Sequence, residues 1–208
     1  MRSNLFKFLT SICFVVFIWS CSESNESLPF LGQSEINAKG DSVKHFIADF
    51  KFINQDGDSI SQDFFKDKIY IADFFFTSCP TICPVMKTQM LRIFEKFKDQ
   101  PNFLILSHTI DPKHDSVAVL KKYKEKLGIK SSQWQFVTGD KDKIYEIALK
   151  SYLVSALEDK EAVEDGGFVH SGAFVLVDKN KNIRGIYDGT KEKEVDKLIN
   201  DIELLFKK

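Results

Sequence analysis

The residues Ile69–Met86, IYIADFFFTSCPTICPVM, constrain this chain more than any other stretch. An apolar run, Ile69–Phe76, is interrupted only by Asp73 and stops at Thr77-Ser78. A run without polar alternation predicts a strand covered on both faces, the centre of a sheet with helices around it. Two cysteines follow, Cys79 and Cys83, each with a proline directly after it (Pro80, Pro84). Beyond them Met86, Met90, Ile93, Phe94 and Phe97 recur at helical spacing and predict a helix over Val85–Lys98. The stretch therefore delivers two thiols from a buried strand to the start of a helix.

Cysteine usage sharpens this. Of the four cysteines, Cys13 and Cys21 fall near the N-terminus, so the remaining chain holds one pair. One close pair is too few for a disulfide scaffold and reads as a redox or metal pair. On a helical turn, residues i and i+4 are about 6 Å apart. That spacing suits a disulfide and equally lets two thiolates converge on one soft metal ion. Pro80 needs no N–H at the start of a turn, and Pro84 cannot donate to the Pro80 carbonyl. One loose turn is expected, then a helix beginning near Pro84 with Cys83 close to its N-cap. Free N–H groups and the positive helix end there favour thiolates over thiols. The plainer alternative is two buried structural cysteines.

The chain divides into three parts. Residues 1–21 carry Arg2 and Lys7, then the apolar Phe8–Trp19, too short for the roughly twenty residues of a spanning helix. This is a secretory leader pattern, and Ile18-Trp19-Ser20-Cys21 resembles a bacterial lipoprotein cleavage box with Cys21 as the lipidated residue. A short uncleaved anchor is the alternative; either puts the rest on the extracytoplasmic, periplasmic side of the cell membrane. Residues 22–42 are polar and read as a flexible tether. Residues 43–208 read as one domain. The net charge of −1 comes with no basic block, which argues against a nucleic-acid partner.

Within the domain, an Asp56-Gly57 turn between apolar stretches predicts an N-terminal β-hairpin extension. Strands are expected at Ile69–Phe76, Phe103–Ile110, Trp134–Val137, Ala173–Val177 and Ile183–Tyr187, the last two forming a hairpin. Helices are expected at Val85–Lys98, Asp115–Leu127, from Asp140 or Asp142 to about Tyr152, and Glu192–Phe206. Ala156–Gly167, acidic and ending in glycine, reads as a loop. Strands alternating with helices make an α/β domain, a central mixed sheet flanked by helices. A β–cysteine turn–α unit, then βα, then ββα, is a thioredoxin-like arrangement.

Two thiolates leave copper(I) room for a third ligand. His45 and His114 read as exposed, and His108, inside a strand, as a satisfied half-buried residue. His170, in GGFVHSG just before the Ala173–Val177 strand, lies where the loop of such a fold faces the cysteine turn. Met86 and Met90 read as core packing on an apolar helix stripe.

The segments FFFTSCPTICPVM, SHTIDPKHDS, KKYKEKLG, FVTGD and FVHSGAFVLVD, in this order, resemble the Sco (SenC) family from about Phe46 to Phe206. The resemblance implies a membrane-anchored, thioredoxin-like, extracytoplasmic protein that binds copper through Cys79, Cys83 and His170. It implies a part in assembling the copper centre of cytochrome c oxidase, by delivering copper, by reducing the acceptor's cysteines, or both. The expected partner is the copper-accepting subunit of that oxidase or another copper or thiol protein. Where many members carry Asp before the ligand histidine, this chain has Val169, so a carboxylate that could orient the imidazole is missing. Two functions remain open: a copper metallochaperone, and a thiol–disulfide oxidoreductase in which Cys79 attacks and Cys83 resolves. Thioredoxin-like oxidoreductases usually have CxxC and a facing cis-proline. Here the spacing is CxxxC and the last proline is Pro112, which favours the metallochaperone. A peroxidase, suggested by Thr77-Ser78-Cys79, lacks its partner residues.

Overall fold

The computed structural model describes residues 27–36, 39–158 and 167–207. The leader over residues 1–21, with Cys21, lies outside them. Among the described residues no helix is long and apolar enough to cross a membrane.

Two short strands, β1 (Glu35–Ile36) and β2 (Ser42–Val43), pair with each other. Then come β3 (Lys51–Asn54), β4 (Ser59–Ser61), β5 (Ile69–Phe75), α1 (Cys83–Phe97), β6 (Phe103–Thr109) and α2 (Val117–Lys126). They are followed by β7 (Trp134–Thr138), α3 (Lys141–Glu146) with a π-helical turn at Ile147–Ser151, β8 (Ala156–Glu158) and β9 (Phe168–His170). The chain ends with β10 (Ala173–Val177), β11 (Ile183–Asp188) and α4 (Glu192–Phe206). The main sheet has the order β11-β10-β5-β6-β7-β3-β4. β5, β6 and β7 run parallel, and the other neighbours are antiparallel.

Every residue of β5 and β6 is buried, as a run without polar alternation requires. Right-handed crossovers from β5 to β6 and from β6 to β7 put α1 and α2 on one face. On that face Tyr123 of α2 packs on Phe75 and Phe136, and α4 lies against α1 through Phe97–Phe206. The chain then returns across the sheet from β7 to β10, and the α3 segment covers the opposite face, where Tyr152 packs on Phe74. Asp140 caps α3 by accepting from Lys143 N–H at 3.0 Å.

Part of the segment read as a tether is held on the domain. Arg184 is buried against Asp178 at 2.9 Å, and its remaining N–H groups need acceptors. The carbonyls of Leu28 and Pro29 accept them at 2.5 and 3.0 Å, and Leu31 N–H donates to Ile183 O at 2.9 Å.

One residue departs sharply from its sequence reading. His108 on β6 is fully buried, and neither ring nitrogen has a hydrogen-bond partner. Its ring stacks on Phe74 at 4.7 Å and meets Phe50, Phe52 and Tyr152 edge-on. A side chain pointing into the α3 face of a doubly covered sheet is surrounded there by aromatic rings. Burial pushes its pKa down to about 3, against the opposing effect of the backbone at Asp73.

The sign of the pH effect follows. Between 6.5 and about 3 the unfolded chain binds a proton that native His108 does not. Stability is therefore unaffected by this residue above pH 6.5 and falls below it, by about 1.4 kcal/mol for each pH unit once the unfolded histidine is charged. Urea unfolding between pH 8 and pH 5 should show this slope, and His108→Phe should flatten it. Equal slopes in parent and variant would mean that His108 is charged in the native protein.

Candidate metal centre

β5 ends at Phe75, and the chain turns at Thr77-Ser78, closed by Cys79 N–H to Phe76 O at 3.3 Å. Pro80, Thr81 and Ile82 lead into α1, whose first bond runs from Met86 N–H to Ile82 O at 3.0 Å. Ile82 is the N-cap, Cys83 the first helical residue and Pro84 the second, where no N–H is required. The prolines thus place the helix start within a residue of the sequence expectation.

Cys79 and Cys83 are not joined in a disulfide, and both are buried, at 7% and 5% exposure. An exposed lip of Ser78, Pro80, Thr81, Pro84 and Val85 separates them from solvent. The two thiols are hydrogen-bonded to each other, and Cys79 Sγ also lies 3.7 Å from Thr81 Oγ1. Beneath Cys83, a small space is shared by Met86, Met90, Asp73 and Ser107. Met86 and Met90 are core residues, at 2% and 1% exposure. Asp73 is buried and accepts from Ser107 Oγ at 2.5 Å, and Ser107 in turn accepts from Trp134 Nε1 at 2.9 Å.

The expectation of easily formed thiolates needs correcting at Cys83. Its hydrogen bond with Cys79 holds its pKa well above the usual thiol range, and burial adds to this. The charges of Cys79 and Asp73 act in the same direction. A backbone hydrogen bond at Phe76 opposes them without prevailing. The helix end is present, but the hydrogen bond with Cys79 and burial outweigh it. In the reduced apo state Cys83 is therefore a neutral thiol.

His170 is placed by its backbone, and not in a loop. Ala156–Glu158 and Phe168–His170 pair antiparallel, with Ala156 opposite His170 and Glu158 opposite Phe168. The sequence reading missed these strands because three residues on each side are too few to show a period. Two contacts bracket His170 against the cysteine turn. Two residues before it, the Phe168 ring packs on Phe76 at 4.8 Å between centroids. Two residues after it, Gly172 lies beside Ile82 and Thr190. A Cβ there would touch Ile82 Cδ1 at 3.8 Å and crowd Thr190 Cγ2 at 2.9 Å, so the chain passes close to both side chains at this point. Among the described residues no group of three His, Cys, Asp or Glu side chains converges on one point.

The other histidines lie elsewhere. His45 Nε2 is 2.7 Å from Ser151 O, His108 is enclosed in its ring cluster, and His114 is exposed beside Asp115. Sequence reasoning passed over Asp115 and Thr77, which hydrogen-bond each other at the cysteine turn. The available signal was an acid in the DPKHDS stretch, one residue before the Ser116 cap of α2. As a donor set, two adjacent thiols suit a soft ion such as copper(I).

Comparison with known proteins agrees with this arrangement. The SCO1/SenC family profile matches residues 38–207. A SCO1/SenC family lipoprotein from Bacillus anthracis superposes with a TM-score of 0.71 at 26% identity, covering 78% of this chain and 95% of that one. BsSco, described as a member of the Sco family of cytochrome c oxidase assembly proteins with a disulfide switch, gives 0.68 at 30% identity, covering 77% and 93%. Arabidopsis thaliana ScoI with copper bound gives 0.62 at 22% identity over 76% and 98%, a likeness of fold. With its thioredoxin-like sheet, its CxxxCP turn and a profile match over nearly the whole domain, the chain belongs to the SCO1/SenC family.

Proposed function

We propose that this protein is a copper metallochaperone held at the extracytoplasmic face of the membrane, with copper as its cargo. Cys79 and Cys83 are its thiolate ligands and His170 its third. Its acceptor is the copper-accepting subunit of cytochrome c oxidase. The observation that carries this reading is the pair of adjacent reduced thiols at the turn into α1, with Phe168 of β9 packed on Phe76 just before that turn. The buried thiol pair lies under a thin exposed lip of the chain, which shields it from bulk solvent. Two sulfurs and an imidazole satisfy Cu(I) in three-coordination, and Cu(II) gains most from the nitrogen. The role of BsSco in oxidase assembly supports the choice of acceptor. The leader pattern ending at Cys21 supports a lipid anchor or a short uncleaved one.

The same contact favours a second reading, thiol–disulfide exchange. Cys79 as thiolate would attack a partner disulfide and release one partner thiolate. Cys83 would then attack the mixed disulfide, leaving a Cys79–Cys83 disulfide here and two thiols on the partner. Two electrons pass to the partner, and the two thiol protons balance its reduced sulfurs.

Copper titration of the reduced domain should give one Cu(I) per chain. Cys79→Ser or Cys83→Ser should abolish tight binding. His170→Ala should retain Cu(I) on two sulfurs but lose most Cu(II) affinity, and it should leave disulfide reduction intact, since exchange needs only the sulfurs. A His170→Ala protein that binds both copper states like the parent would remove the third ligand from this account.

Mild oxidation of the apo protein should link Cys79 to Cys83, seen as loss of both alkylatable thiols and one cross-linked peptide. Two thiols that remain alkylatable would rule out the exchange reading. On fractionation, the full-length protein should stay with membranes and carry an acylated Cys21; a soluble chain starting beyond Cys21 would contradict the anchor.

A further inference from the structure

Asp115 is fully buried, and its carboxylate has four partners. Oδ2 accepts from Thr77 N–H at 3.0 Å and from Thr109 Oγ1 at 2.6 Å. Oδ1 accepts from Thr77 Oγ1 at 2.5 Å and lies 2.9 Å from Nδ1 of His114. Thr77 is therefore gripped twice, through backbone and hydroxyl, by one charged group. Thr77 is also the first corner of the turn whose closing residue is Cys79. The other end of the grip is fixed to the sheet: Thr109 is the last residue of β6, and Ile110 N–H donates to Phe75 O at 2.8 Å.

We propose that Asp115 is a positioning residue for the cysteine pair, acting through Thr77. It touches neither sulfur. It joins the end of β6 to the corner of the turn, and so fixes where Cys79 stands relative to Cys83 at the head of α1. Charge-assisted hydrogen bonds are short and directional, so a carboxylate held on both oxygens sets position more narrowly than a neutral contact would. Groups that orient a metal's ligands without binding the metal commonly govern affinity by tenfold or more. This inference rests on the copper reading above for its first readout and on the thiol pair alone for its second.

The test separates positioning from general support of the fold. Thr77→Val removes the hydroxyl grip on the turn, whereas Tyr187→Phe removes the hydrogen bond that Tyr187 donates to Asp201 between β11 and α4, outside the grip. Each variant loses one hydrogen bond, so both should lower the melting temperature. Cu(I) affinity, read by competition with a coloured chelator, should fall about tenfold in Thr77→Val, stay near the parent in Tyr187→Phe, and return in Thr77→Ser. The Cys79–Cys83 dithiol–disulfide equilibrium against a dithiothreitol buffer should shift severalfold in Thr77→Val and not in Tyr187→Phe. This second readout still decides the matter if the parent binds no copper, which would sink the copper reading by itself. Equal effects of Thr77→Val and Tyr187→Phe, or no effect of Thr77→Val on either readout, would overturn the positioning role.

Discussion

The parallel ladder between β5 and β6 is the constraint on which the site depends. It runs in register for the whole of both strands, from Ile69 opposite Phe103 to Phe75 opposite Thr109. Because both strands are buried on both faces, slipping by one residue would move seven side chains into the wrong layer. The register therefore fixes the two strand ends side by side. From one end the chain turns to Cys79; from the other it turns to Asp115. A hydrogen bond between those turns is a consequence of the ladder as much as of the residues themselves.

Much of this was legible in the sequence, for physical reasons. The apolar run over Ile69–Phe76, eight residues with no polar alternation apart from Asp73, points to a strand covered on both faces. The proline after each cysteine restricts where a helix can begin. The helix stripes of α1 and α4 follow from periodicity, and the β10–β11 hairpin from two apolar runs flanking a polar turn. What was not legible depends on contacts across the chain. The β8–β9 pairing is accompanied by Phe168 packing on Phe76, a contact with no local signature. His108 looked like a partly exposed residue in a strand, but its surroundings come from β3, β5 and the segment after α3. Asp115 reads locally as a residue before a helix cap; its bond to Thr77 spans 38 positions.

The thiol pair shows how two opposing terms are resolved. The start of α1 stabilises negative charge on Cys83, a surface effect of about 0.3–1 kcal/mol. The hydrogen bond with Cys79, burial and the carboxylate of Asp73 oppose it and prevail. Under the copper reading proposed above, Cys83 gives up its proton as copper binds; under the exchange reading, it does so as it attacks the mixed disulfide. The third ligand separates the two readings. Exchange needs two sulfurs; copper that must be held as both Cu(I) and Cu(II) needs a nitrogen.

X-ray absorption at the copper edge of the Cu(I)-loaded protein tests the central claim most directly. The account predicts two sulfur scatterers and one nitrogen scatterer in the parent, and two sulfurs without the imidazole nitrogen in His170→Ala. A shell identical in parent and His170→Ala, or one without two sulfurs, would contradict it.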